Sequence, residues 1–286
     1  MAEVKEFAGK IKPDWCPGCG DYGVLNALQR ALADLDIAPH NVLVVSGIGC
    51  SSNLPGFINA YGFHGLHGRS LPVAAGARLA NHGLTVLVTG GDGDGYGIGV
   101  GHFVHTCRRN INMTYIVMDN QIYGLTTGQA SPTTEKDIRT KSTPEGTIEI
   151  PLNPIALALT CGATYVARGF SGENLQLANL LKGAIEHKGF SLVDVFSPCV
   201  TYNKHNTYPW FRERVYKLED ERHDPSDFRL AMEKAFEWGA RIPIGLFYKV
   251  ERPTYEDEDP TLRSGIPLVK QPAGRANLAE IMQDFM

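Results

Sequence analysis

Four runs of strand length, at residues 42–46, 84–89, 113–118 and 191–196, are almost wholly apolar and show no polar alternation. Strands that are apolar on both faces need cover on both, as in a parallel sheet flanked by helices. Between the runs, apolar residues recur at helical spacing. Val24, Leu25, Leu28, Ala31, Leu32 and Leu35 mark a helix near 22–36, with Asp21 placed to cap it. Residues 73–81, 97–108 and 173–187 read as further helices. The pattern predicts an α/β fold, a mainly parallel sheet with helices on both faces. Ligands of such sheets sit beyond the carboxyl ends of the strands. GIGCSS follows the first run, GGDGDG the second and DNQIYG the third, so one convergent site is expected there.

With 43% apolar residues and a net charge of −4, wholesale disorder is excluded, and a broad nucleic-acid-binding surface is not expected. No window reaches the roughly 18 apolar residues of a membrane helix, and the start shows no apolar signal core. A cytoplasmic protein without membrane or nucleic-acid partners is therefore expected. Residues 1–250 read as one domain. The acidic, Pro-rich stretch 251–286 reads as a tail along a partner. Residues 124–151, rich in Thr, Gly and Pro, are too long for a plain connection and read as functional or disordered.

In Gly91-Asp92-Gly93-Asp94-Gly95 a strand gives way to a helix within a few residues. Backbone N–H groups at a helix start receive phosphates. Asp92, itself anionic, cannot favour a bare phosphate; a hard cation between the two resolves the conflict. Mg²⁺ prefers oxygen donors and often bridges a carboxylate to phosphate groups. Asn120, 28 residues on, offers a neutral side-chain oxygen, and the Ile122 carbonyl a third donor. A nicotinamide fingerprint is not present in this arrangement.

Six cysteines occur: Cys16, Cys19, Cys50, Cys107, Cys161 and Cys199. Cys16 and Cys19 form a CxxC pair, compatible with a redox dithiol, half a zinc site or part of an iron–sulfur site. The pair does not follow a strand in a thioredoxin-like way, and no second CxxC supports a zinc ribbon. Cys50 and Cys199 each lie just beyond an expected strand, and four such thiolates suit an iron–sulfur cluster. Cys107 and Cys161 read as small buried hydrophobes. His64, His67 and Arg69 form a compact donor group suited to an anion. Lys136, Asp137, Arg139 and Lys141 read as a solvated stretch.

The GDG element followed by an Asn-ended one resembles the thiamine diphosphate motif. Together, WCPGCGDYGV, SGIGCSSN, GFHGLHGR, GGDGDGYGIG, RRNINMTYIVMDNQIYGLTTGQASPT and SPC followed by TYNKHNTYPWF resemble the β subunits of 2-oxoacid:ferredoxin oxidoreductases, from about residue 12 to about 250. Within that family the chain looks most like the 2-oxoglutarate enzyme. The resemblance implies the diphosphate-binding half of the thiamine diphosphate fold, with Mg²⁺ on Asp92, Asn120 and Ile122. It implies a 4Fe–4S cluster on Cys16, Cys19, Cys50 and Cys199. It implies cofactor contacts at Ile48, Gly49, Cys50, Ser51, His67, Gly93, Asp94, Gly124 and Leu125, with Gly91 and Thr126 beside them. Relatives often carry Lys, with a role in coenzyme A binding, where this chain has Thr127.

The activity so implied is CoA-dependent oxidative decarboxylation of 2-oxoglutarate to succinyl-CoA and CO₂. Electrons pass through the cluster to ferredoxin, and the reaction is open to reversal. The activating glutamate and most 2-oxoacid contacts are expected on an α subunit, in an α₂β₂ complex. Three alternatives stand beside this reading: a pyruvate or branched-chain 2-oxoacid enzyme, a cluster-free thiamine diphosphate decarboxylase, and a zinc-stapled interaction subunit.

Overall fold

The computed structural model describes residues 3–272, 278–283, 285 and 286. The strands are β1 (Val42–Ser46), β2 (Tyr61–His64), β3 (Thr85–Gly91), β4 (Met113–Asp119), β5 (Tyr165–Phe170), β6 (Phe190–Phe196), β7 (Val215–Lys217) and β8 (Ile242–Lys249). They form one sheet in the order β2-β1-β3-β4-β6-β5-β8-β7. Every pairing is parallel except β5 with β8. The mainly parallel sheet expected from the apolar runs is thus present. Four strands carry no such signal. The β2 sequence is exposed throughout, β5 holds the buried Arg168, β7 is three residues long, and β8 contains Pro243 and Gly245.

The pleat sends neighbouring residues to opposite faces. Val44, Leu87 and Ile116 pack under helices α1 (Asp21–Asp34) and α5 (Asn174–Glu186). Val45, Val88 and Val117 pack with residues of α2 (Ser70–Ala80), α3 (Val100–Arg109), α4 (Pro154–Thr160) and, beyond the short α6 (Tyr208–Arg212), α7 (Phe228–Ala235). Each fully buried Leu or Val contributes about 1.5–3 kcal/mol of transfer free energy. Helices therefore cover both faces. A third cluster joins Phe170, Phe196, Phe211, Ile242 and Ile244 at the β8 side. Among the described residues, no helix is long and apolar enough to cross a membrane.

Three expectations need correction. Helix α2 begins at Ser70, not 73, because Pro72 falls in the first turn, where a missing N–H costs nothing. The helix expected over 97–108 is two pieces: a wide turn over Gly93–Ile98, then α3, with non-helical backbone at Gly97 between them. Asp21 does not cap α1. It is the first helical residue, and its buried carboxylate accepts from Ser197 Oγ at 2.6 Å. The start of the expected tail is tied to the body: Arg78 Nε donates to Glu256 Oε1 at 2.7 Å, both side chains largely buried. Tail residues 273–277 and 284 lie outside the described residues.

Candidate functional site

Because β1, β3, β4 and β6 are adjacent and parallel, the loops after them open on one edge of the sheet. Glycines let these loops touch. A Cβ on Gly91 would lie 3.3 Å from Ser51 Oγ, and one on Gly93 only 2.1 Å from the Tyr123 ring. A Cβ on Gly47 would meet the Asp94 carboxylate at 2.1 Å. Tyr123 in turn donates its hydroxyl to the Gly93 carbonyl at 3.1 Å. The convergence expected from topology is therefore a set of atomic contacts.

Asp92, at the end of β3, is 1% exposed. Burial pushes its carboxyl up to about 6, against the pull of the nearby Ser131 and Thr133 hydroxyls. No Lys, Arg or His pairs with it among the described residues. A buried carboxylate without a cationic side chain suits a bound cation. In the next loop the Asn120 Oδ1 accepts from the Ile122 N–H at 3.0 Å, an Asx turn that leaves its second lone pair open. No described hydrogen bond ends on the Ile122 carbonyl. Asp92, Asn120 and Ile122 thus form an oxygen donor set fit for Mg²⁺, which takes few protein ligands and keeps the rest for phosphate and water.

The Asp94 carboxylate has a different task. Its Oδ1 accepts from the N–H of Ile48 at 2.9 Å and of Gly68 at 2.7 Å, and lies 2.9 Å from His67 Nδ1. It is buried and binds two loops together, leaving its backbone, rather than its carboxylate, to face a phosphate. The expected donor group of His64, His67 and Arg69 is not assembled. His67 turns to Asp94, Arg69 Nη1 lies 3.0 Å from His102 Nε2, and His64 lines a separate hollow with Asp14 and Asn53. Gly49 adopts φ +137°, which fits glycine alone comfortably, and Ser51 is buried behind it. Leu125 and Thr126 are exposed on the loop after β4.

Cys16, Cys19, Cys50 and Cys199 all line one cavity of about 260 Å³, with Trp15, Asn120, Gly124, Leu125 and Val200. The Trp15 indole donates to the Cys50 carbonyl at 2.7 Å, and the Gly20 N–H to the Pro198 carbonyl at 3.1 Å, so the CxxC turn is pinned to both partner loops. Burial, the charge of Asp21 and the neighbouring thiols push Cys50 up to about 11, and burial and Asp21 push Cys19 higher still. Such thiols become thiolates only with a metal to hold them. Among the described residues no three His, Cys, Asp or Glu side chains close around a single ion. Four cysteines around one cavity are a sulfur donor set of the kind that could hold an iron–sulfur cluster. Cys107 is fully buried, as expected, whereas Cys161 is half-buried.

The long segment 124–151 is neither helix nor strand, yet it is held by its own hydroxyls. Ser131, Thr133 and Thr134 are buried; Thr134 Oγ1 donates to the Gln121 carbonyl at 2.7 Å. Thr133 Oγ1 stands 2.7 Å from Asp92 Oδ2 and 2.9 Å from Asp119 Oδ1. Sequence reasoning missed Thr133 and Asp119; the run Ser131-Pro132-Thr133-Thr134 was the available signal. Lys136, Asp137, Arg139 and Lys141 are exposed, but Lys141 Nζ donates to Thr127 Oγ1 at 2.7 Å. An ammonium group therefore stands at position 127 after all.

Comparisons with known proteins bear on the family and the fold. The family model for the C-terminal TPP-binding domain of thiamine pyrophosphate enzymes matches residues 45–195. That for the C terminus of the pyruvate ferredoxin oxidoreductase β subunit matches residues 199–264. The chain is 45% identical to the β subunit of 2-oxoacid:ferredoxin oxidoreductase 1 from Aeropyrum pernix, over 98% of this chain and 92% of that one. It is 36% identical to a 2-oxoglutarate synthase subunit from Methanocaldococcus jannaschii, over 85% and 90% of the two chains. Among solved structures, the 2-oxoglutarate:ferredoxin oxidoreductase from Magnetococcus marinus, with 2-oxoglutarate, coenzyme A and succinyl-CoA bound, superposes with a TM-score of 0.86 at 44% identity. That match covers 100% of this chain and 91% of the other.

Proposed function

This chain belongs to the family of 2-oxoacid:ferredoxin oxidoreductase β subunits, and from that premise we propose that, with an α subunit, it oxidises 2-oxoglutarate. The products are succinyl-CoA and CO₂, and two electrons leave singly to ferredoxin. With reduced ferredoxin in excess the same complex fixes CO₂. One observation carries the reading. A Cβ at Gly124 would lie 3.8 Å from Asn120 Nδ2, 3.6 Å from Cys199 Sγ and 3.9 Å from Cys50 Sγ. A single glycine separates the cation donors from the cluster thiols.

Thiamine diphosphate supplies the carbanion chemistry for loss of CO₂, and a 4Fe–4S cluster the one-electron steps. The chain's own residues position both. Asp92, Asn120 and Ile122 would hold Mg²⁺, and the turn after Asp92 offers backbone N–H groups to the diphosphate. The Asp94 carboxylate keeps the Ile48 and His67 loops closed on that turn. Lys141 offers its charge, beside Thr127, to a phosphate of coenzyme A. Cys16 is exposed, which gives electrons a short way out to ferredoxin. The match is to the C-terminal TPP-binding domain of thiamine pyrophosphate enzymes alone, so the α subunit would complete the cofactor site, in an α₂β₂ assembly. Six free cysteines fit a reducing cytoplasm.

The relatives from Aeropyrum pernix and Saccharolobus solfataricus, at 45% and 50% identity, are named for 2-oxoacids without further restriction. A broader 2-oxoacid range is therefore the second reading. The test is iron and acid-labile sulfide on anaerobically purified complex, followed by ferredoxin reduction with CoA and competing 2-oxoacids. About four irons per β chain, lost in Cys199→Ser and kept in Cys107→Ser, with 2-oxoglutarate preferred, supports the proposal. Protein never exposed to air but free of iron overturns the electron-transfer step. Equal rates with pyruvate or branched-chain acids favour the second reading.

A further inference from the structure

We infer that Thr133 is the positioning residue for the carboxylate that binds Mg²⁺; this rests on the cofactor reading above. Asp92 follows directly on β3 and opens the turn over Gly93–Ile98, so its backbone is fixed from both sides. Its side chain still has a torsion free to swing the two oxygens. Thr133 Oγ1 removes that freedom by directing its one proton to Asp92 Oδ2 at 2.7 Å, the shorter of its two carboxylate contacts, with Asp119 Oδ1 at 2.9 Å, which leaves Asp92 Oδ1 to be presented in one direction. Thr133 is 3% exposed, so it does not itself face substrate.

The hydroxyl is held from its own side as well. The Ser131 N–H donates to Thr134 Oγ1 at 2.8 Å, and Ser131 Oγ lies 3.4 Å from Thr133 Oγ1 and 3.2 Å from Thr134 Oγ1. Thr134 is bonded to the Gln121 carbonyl, inside the loop that carries Asn120 and Ile122. One short hydroxyl cluster therefore holds the carboxylate of the first loop and the backbone of the second. It fixes the separation of the charged donor from the two neutral ones. Mg²⁺ demands near-octahedral geometry at short distances and tolerates little error in that separation. The long segment 124–151, which interrupts the regular fold, thereby gains a purpose: it delivers Thr133 behind the metal donors.

Removal of a partner that orients a metal ligand typically weakens metal binding by 10–100-fold. The experiment uses the assembled, cofactor-stripped complex, with thiamine diphosphate binding followed by calorimetry as Mg²⁺ is varied. Thr133→Val keeps the shape and loses the hydroxyl; Thr133→Ser keeps the hydroxyl. The expected result is about a 10–100-fold rise in half-saturating Mg²⁺ for Thr133→Val, with Thr133→Ser within about threefold of wild type. A Thr133→Val complex that melts cooperatively and keeps the wild-type Mg²⁺ dependence overturns the inference. So does a Thr133→Ser complex as impaired as the Val variant. Wild-type protein that binds no thiamine diphosphate at any Mg²⁺ concentration refutes instead the cofactor reading on which the inference stands.

Discussion

Gly93→Ala isolates the contact on which the cofactor loops depend. The added Cβ would sit 2.1 Å from one atom of the Tyr123 ring and 2.6 Å from two others, its three nearest neighbours. Either the ring must swing away or the turn must shift. Overpacking of this kind costs about 1–3 kcal/mol. Loss of the hydrogen bond from the Tyr123 hydroxyl to the Gly93 carbonyl adds about 1 kcal/mol. The sum, about 2–4 kcal/mol, lowers the thermal midpoint by several degrees for a chain of this size. In a Tyr123→Ala background these three overlaps are gone. Gly93 lies in a helical turn, so alanine there stabilises by about 0.5–1 kcal/mol. The sign of the effect therefore reverses between the two backgrounds. Thermal unfolding of the four proteins of this double-mutant cycle measures the coupling. If Gly93→Ala costs the same with and without the ring, the loops do not meet as described and the reasoning fails.

Other outcomes follow from particular groups. Lys141→Ala should raise KM for coenzyme A about tenfold and leave KM for the 2-oxoacid within twofold, since loss of one charge-assisted hydrogen bond is worth about 1.5–3 kcal/mol; steady-state kinetics with each substrate varied decides it. Burial, with Lys249 nearby, pushes His187 down to about 4. A depressed folded value means that the unfolded chain takes up the proton first. The stability held by neutral His187 is complete above about pH 6.5 and is lost as pH falls toward 4, by up to about 3 kcal/mol at 1.4 kcal/mol per unit. Replacement by Gln should flatten the fall of Tm across that window, and an unchanged slope contradicts the assignment.

The sheet was legible where strands are buried on both faces, because continuous apolar runs have no other use. It was not legible in β5, where Arg168 sits within the strand, bonded to Asp194 at 3.3 Å and stacked 5.0 Å from the Phe196 ring centroid. A charge with its partner on a neighbouring strand looks, in one dimension, like a break. The donors Asp92, Asn120 and Ile122 could be chosen on chemistry, since each follows a strand and carries an oxygen. The task of the Asp94 carboxylate could not, because its partners are backbone N–H groups 46 and 26 residues away. Thr133 escaped for the same reason: nothing in a threonine-rich segment says which hydroxyl turns inward.

The ion pair of Arg78 with Glu256 bears on how far this protein can be shortened. Arg78 also donates to the His82 and Leu84 carbonyls, both at 2.8 Å, and so fastens the end of α2 to the entry of β3. Trimming the chain at residue 250 would strand a nearly enclosed guanidinium without its counter-charge, a loss that for buried pairs runs to about 3–5 kcal/mol. The acidic stretch is in that respect a rivet: the last safe cut lies beyond Glu256, and a shorter protein would be expected to express poorly before it lost any catalytic group.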